Sequence, residues 1–191
     1  MTPQVAAYVP QFTLDEVLPY AILLLGGLAV LALDALLEVF VKGITRQRRD
    51  ALLGVLTGAS LLITGATFYG GVIDASGRTF LDGMLRSSEF ANMGSLVICF
   101  GALMFTILAP RLIEARRLPA GEFYALLLFS VFGMTMLAVA NDLIVAFICS
   151  EILSLALYAL VGIDRRSRKG AEASFKYFML GAFASAFLVL G

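Results

Sequence analysis

The sequence predicts an all-α polytopic bundle of transmembrane helices, and two observations carry that prediction. The apolar residues fall into six long runs rather than short ones, and together they make 60% of the 191 residues, with a mean hydropathy of +0.94. A soluble globular chain is closer to half apolar and is broken into shorter runs. The runs lie at roughly 18–40, 51–73, 90–110, 122–140, 142–163 and 171–191. Each has at least about 18 mostly apolar residues, enough for a helix across a hydrocarbon core of ~30 Å. Strands of a membrane barrel would be about ten residues long and alternate in polarity, and these runs do not.

The first run follows an acidic, polar N-terminal stretch, MTPQVAAYVPQFTLDEVLPY. That stretch lacks the basic n-region of a cleavable signal peptide, so the first span is expected to stay in the mature protein. Lys42, Arg46, Arg48 and Arg49 follow the first run, Arg111, Arg116 and Arg117 the third, and Arg165, Arg166, Arg168 and Lys169 the fifth. The intervening connections hold only Arg78 and Arg86. This asymmetry predicts a single membrane domain over 1–191 with basic loops in the cytoplasm and the N-terminus outside.

The fourth and fifth runs are separated only by Ala140-Asn141-Asp142, which makes them antiparallel neighbours. Asn141 and Asp142 suit the N-cap of the fifth helix, with the outer mouth of a proton path as the alternative reading. The 74–89 loop, with Asp74, Arg78, Asp82, Arg86 and Glu89, reads as a solvated outer loop. Gly54 and Gly58, and Gly181, Ala182, Ser185 and Ala186, read as small-residue packing faces. The sixth run stops with the chain at Gly191 without a polar tail, which suggests a fragment of a longer bundle.

Composition also excludes some chemistry. There is no histidine, so histidine-held haem, histidine-ligated zinc or copper and a histidine general base are ruled out within this chain. A formal net charge of zero argues against a nucleic-acid surface. Cys99 and Cys149 both lie inside predicted spans and read as packing residues.

Three charged residues inside the runs are candidates for function. Glu151 lies about halfway along LIVAFICSEILSLALYALVGI, roughly 12 Å from the nearer end at ~1.5 Å per residue. An ionised carboxylate there costs about 2.5–3.5 kcal/mol, so it needs a partner, a wet path or a proton. Ser154 and Tyr158 follow at i+3 and i+7 on the same helical face. A carboxyl in that setting can load and release protons, or it can serve only as glue between helices.

Lys176 lies about 8 Å into the sixth run and has Glu172 at i−4. On spacing alone it snorkels and pairs locally. Adjacency of spans five and six would also let it face Glu151, where a mobile ammonium could control the carboxyl's charge. Asp34 lies near the cytoplasmic end of the first run, four residues before Glu38, and reads as a helix-end carboxylate reaching the interface, with a buried functional carboxylate as the alternative.

The stretches GEFYALLLFS (121–130), AND (140–142), SLALYAL (154–160) and AEASFKYFMLGAFASAFLVLG (171–191) closely resemble subunit N of bacterial NADH–quinone oxidoreductase, respiratory complex I. The first three runs, including LALDALL at 31–37, resemble the same subunit's N-terminal part less distinctively. The resemblance implies an antiporter-like membrane-arm subunit of about fourteen spans in the bacterial plasma membrane. It implies that Glu151 and Lys176 match proton-transferring residues, and that later charged residues of the path would fall beyond Gly191. FMN, iron–sulfur clusters and quinone would then reside in partner subunits, with no cofactor or metal held by this chain. The partners implied are the other membrane-arm subunits and the lipid bilayer. The alternatives are a subunit of a multisubunit Na+/H+ antiporter or a non-conducting structural membrane subunit.

Overall fold

The computed structural model describes residues 14–40, 45–73, 78–81 and 83–190. Within them the chain forms α1 (Leu14–Phe40), α2 (Arg46–Ile73), β1 (Arg78–Phe80), β2 (Leu85–Ser87), α3 (Glu89–Arg116), α4 (Ala120–Val139), α5 (Leu143–Val161) and α6 (Arg168–Leu190). All six helices are long and apolar enough to cross a membrane. The chain is a multi-pass, all-α membrane protein.

Several helices run past the apolar runs at their basic ends, notably α2 from Arg46 and α3 to Arg116. Hydropathy marks the part that crosses lipid, whereas a helix continues until its end groups are satisfied. At α3 those ends are the Ser88 hydroxyl, which accepts from Ala91 N at 3.2 Å, and Arg117, in the left-handed conformation at φ 52°.

The bundle is organised around α4, which packs against α1, α2, α3 and α5. Tyr124, Leu128 and Val131 are completely buried, and the helix is apolar on all sides, as an enclosed helix must be. By contrast α6 packs chiefly on α5, and none of its described residues is buried. Several polar side chains inside the bundle bond locally, while the buried Thr64, Ser95 and Tyr124 hydroxyls have no hydrogen-bond partner among the described residues. Thr57, Thr106, Ser130 and Thr135 each donate to a backbone carbonyl three or four residues earlier in their own helix. With no water in hydrocarbon, such back-bonding is the least costly partner available.

Small residues set the helix contacts, in part at positions other than expected. A Cβ at Gly54 would meet the Tyr124 hydroxyl at 3.0 Å, so this glycine makes room for a phenol rather than for a helix backbone. The close backbone approach is at Gly133 on α4, where a Cβ would lie 2.7 Å from Leu153 N on α5. Cys99 and Cys149 are buried free thiols.

The 74–89 connection departs from a solvated loop. Arg78–Phe80 pairs antiparallel with Leu85–Ser87, and Phe80 and Leu85 are 3% and 2% exposed. Burying these two side chains is worth more than leaving them in water, so the hairpin folds down onto the helix ends. It also holds the α4–α5 turn: Leu85 bridges to Ala140, Asn141 N donates to Met84 O at 2.9 Å, and Asn141 Nδ2 donates to Gly83 O at 2.8 Å. Asn141 is therefore a tether to the hairpin, and Asp142 alone caps α5, accepting from Ile144 N at 2.8 Å and Val145 N at 3.3 Å. Asp74 and Asp82 lie outside the described residues.

A Gly133→Val chain should lose roughly 1–3 kcal/mol of stability through overpacking against Leu153. Gly101→Ala, where a Cβ meets nothing within 4 Å, should be neutral or slightly stabilising. Thermal unfolding of the two variants in the same detergent checks the contrast.

Candidate functional site: the α5–α6 seam and the basic helix ends

Glu151 sits near the middle of α5 and is half-buried. The helix around it is fixed at three places. The Asp142 carboxylate caps its start, the Gly133–Leu153 contact seats its flank on α4, and the Gly162 N–H closes its end on Tyr158 O at 3.2 Å.

Across the seam the two helices pair in opposite directions. The Ser185 hydroxyl donates to Glu151 Oε1. One helical stretch further, the Tyr158 hydroxyl lies directly against Gly181, where any side chain would collide with it. At the far end a Cβ at Gly162 would meet Ser174 Cβ at 3.0 Å, and Ser174 Oγ donates to Tyr158 O at 2.7 Å. The Tyr158 ring meets Tyr177 edge-on at 4.9 Å and Phe178 at 5.8 Å. Ser174, Gly181 and Ser185 thus form one small, partly polar stripe on α6 facing the Glu151–Tyr158 stripe on α5. Ser154 is half-buried and makes no side-chain hydrogen bond among the described residues.

Lys176 does not face Glu151. Its Nζ pairs with Glu172 Oε1 at 2.6 Å, with side chains 70% and 63% exposed. The reason is helical geometry. Lys176 precedes Ser185 by nine positions, roughly 13.5 Å along the axis and about half a turn around it, so the two side chains leave opposite sides of α6. The local pair anticipated from i−4 spacing is the one formed, and the α5-facing position belongs to Ser185. Sequence reasoning had classed Ser185 only as a small packing residue. The available signal was its register with Ser174 and Gly181 along one helical face.

Asp34 also differs from the free interfacial carboxylate expected. Its Oδ1 accepts from Arg49 Nε at 2.6 Å, its side chain is 17% exposed, and it lies against Gly121 at the start of α4, where a Cβ would overlap it. Arg49 Nη2 reaches Glu38 at 3.2 Å as well. One arginine therefore joins α1 to α2, while Gly121 lets the carboxylate sit at the positive end of the α4 dipole. Arg49 was read only as a member of a basic loop. That it is in the first turn of a helix hid its role.

The seam brings together one carboxyl, one hydroxyl and one phenol. A hydroxyl can both donate and accept, so a Glu–Ser pair can pass a proton as well as hold one. Among the described residues no three acidic or cysteine side chains gather at metal-ligand spacing.

Comparison with known proteins matches this arrangement to a class. Residues 140–191, which hold the α4–α5 turn, α5 and α6, match the family model described as the transmembrane region of NADH:quinone oxidoreductase and Mrp antiporters. The α4–α5 turn, α5 and α6 are thus similar to antiporter-like membrane subunits. Over most of its length the chain is similar to NADH-quinone oxidoreductase subunit N of several bacteria, which together with its six spanning helices supports a multi-pass protein of the bacterial inner membrane. It is 35% identical over 184 residues to that subunit of Myxococcus xanthus, covering 95% of this chain and 34% of the relative. It is 35% identical over 175 residues to the subunit of Francisella tularensis, covering 92% of this chain and 35% of the relative. Among solved structures, a chain of respiratory complex I from Thermus thermophilus with bound aureothin superposes with a TM-score of 0.66 at 29% identity. That superposition covers 88% of this chain and 34% of that one. The chain spans about a third of the length of the curated relatives it matches.

Arg49→Gln should cost roughly 1–3 kcal/mol, because it strands the half-buried Asp34 carboxylate. Glu38→Gln should cost at most about 1 kcal/mol, since Glu38 is 70% exposed. Thermal melts of both variants, with Asp34→Asn/Arg49→Gln recovering part of the loss, check the assignment.

Proposed function

We propose that the chain is a membrane-arm subunit of a proton-translocating NADH–quinone oxidoreductase and supplies part of its proton path. Electrons pass from NADH through FMN and iron–sulfur centres to quinone in partner subunits. The basic loops face the cytoplasm and the N-terminal side faces out. The observation that supports this reading most directly is the carboxyl of Glu151, near the middle of a spanning helix, with a hydroxyl donor on the adjacent helix.

In this mechanism Glu151 is the proton-carrying group. Ionised, it accepts the Ser185 hydrogen bond. Protonated, it can turn its own hydrogen to the serine oxygen. Either state keeps one hydrogen bond, so changing between them does not leave a bare polar group in hydrocarbon. Lys176 leaves the opposite side of α6, so it extends the path away from α5 rather than acting on Glu151 at contact.

A second reading is a subunit of a multisubunit Na+/H+ antiporter, because the matched family model spans both kinds of protein. Copurification separates them: NADH-oxidising subunits accompany the first and other antiporter subunits the second.

Glu151→Gln in the assembled complex should lower the protons moved per electron pair several-fold while assembly and NADH oxidation by the peripheral subunits persist. Proton uptake and NADH oxidation measured on the same vesicles report both. Unchanged stoichiometry would assign Glu151 to helix packing alone.

A further inference from the structure

The basic ends of the bundle do more than line a membrane surface. The start of α2 and the connections between α3 and α4 and between α5 and α6 converge on a cleft of about 310 Å³. Arg46, Arg117, Arg165 and Arg166 line it, against only two carboxylates, Glu122 and Asp164. Two of the arginines are already engaged. Arg46 donates to Leu118 O at 2.9 Å and lies 3.7 Å from Asp50, and Arg165 reaches both Glu122 oxygens at 3.2 Å. Arg117 and Arg166 are exposed, and neither has an ion-pair partner among the described residues.

The backbone fixes where these two side chains leave the chain. Arg117 adopts φ 52° and ψ 42°, closing α3 through its N–H to Glu114 O and Ile113 O. Arg166 N donates to the Asp164 carboxylate at 3.2 Å, which fixes the turn that presents its side chain. The start of α4 borders the same cleft at Pro119 and Glu122, and Pro119 provides no side-chain cap.

We propose that this cleft is a binding site for a phosphate-bearing anion, held by the guanidiniums of Arg117 and Arg166 with Arg46 beside them. Planar guanidiniums offer paired donors that match phosphate oxygens, and a concave site between helix ends partly desolvates the contact. The cleft opens at a helix end, where a phospholipid headgroup can reach it from the bilayer and free phosphate from water. The inference is independent of the proton path.

The test uses the chain purified from its own membranes in mild detergent, with any accompanying subunits. One arm titrates fluorescent phosphatidylglycerol in mixed micelles, with phosphatidylcholine as the uncharged comparison. A second arm adds inorganic phosphate as competitor. Phosphatidylglycerol should bind at least about tenfold tighter than phosphatidylcholine. Arg117→Gln/Arg166→Gln should remove most of that preference, while Arg111→Gln/Arg168→Gln, the same charge change outside the cleft, should alter it less than twofold. Competition by millimolar phosphate identifies free phosphate as the source, and resistance to it identifies the lipid headgroup. Equal losses in the two double variants, or equal binding of the two lipids with no phosphate binding, would overturn the proposal.

Discussion

A polar group placed in hydrocarbon gains from a partner within the protein, and several helix contacts of this bundle follow from how such partners are found. Serine and threonine hydroxyls turn back onto their own helices, at Thr57, Thr106, Ser130 and Thr135. The two half-buried carboxylates within the bundle instead reach across to a second helix. Asp34 takes Arg49 from α2, and Glu151 takes Ser185 from α6. The first contact closes the basic end of the bundle. The second joins α6 to the rest, because α6 packs chiefly on α5 and buries nothing of its own.

The seam therefore carries architecture as well as the proposed chemistry. Gly181 and Gly162 bring α6 close enough for a short serine side chain to reach a carboxyl on α5. A longer residue at either glycine would separate the helices and break the hydrogen bond. On the other flank, the Gly133–Leu153 approach and the hairpin tether through Asn141 fix α5 against α4. Glu151 is thus mounted on a rigid helix, while its partner sits on a peripheral one whose outer face carries the exposed Phe175, Leu180, Phe183 and Phe187. Displacing α6 by even an ångström or two would change the environment of the carboxyl.

Much of this was legible in the residue pattern. The helix class and the candidate role of Glu151 followed from run length and from one charge in an apolar stretch. Asp142 as a cap and the Lys176–Glu172 pair followed from local spacing, which acts within one helix and needs no tertiary information. Contacts between helices were not legible. The side of α6 that turns to α5 decides whether Ser185 or Lys176 meets Glu151, and hydropathy carries little of that angle because α6 is apolar on most sides. Arg49 was hidden for a related reason: its partner is fifteen residues away on another helix. The hairpin was missed because Phe80 and Leu85 sit in a segment whose charges dominate its composition.

The central claim is that the Glu151 carboxyl is engaged by Ser185 across the α5–α6 seam within the membrane. Infrared spectroscopy of the chain in lipid, with labelled glutamate to mark carboxyl bands, tests it most directly. The account predicts a Glu151 band that moves when Ser185 is replaced by alanine and stays put when Lys176 is replaced by glutamine. A band indifferent to Ser185 but shifted by the lysine substitution would contradict it.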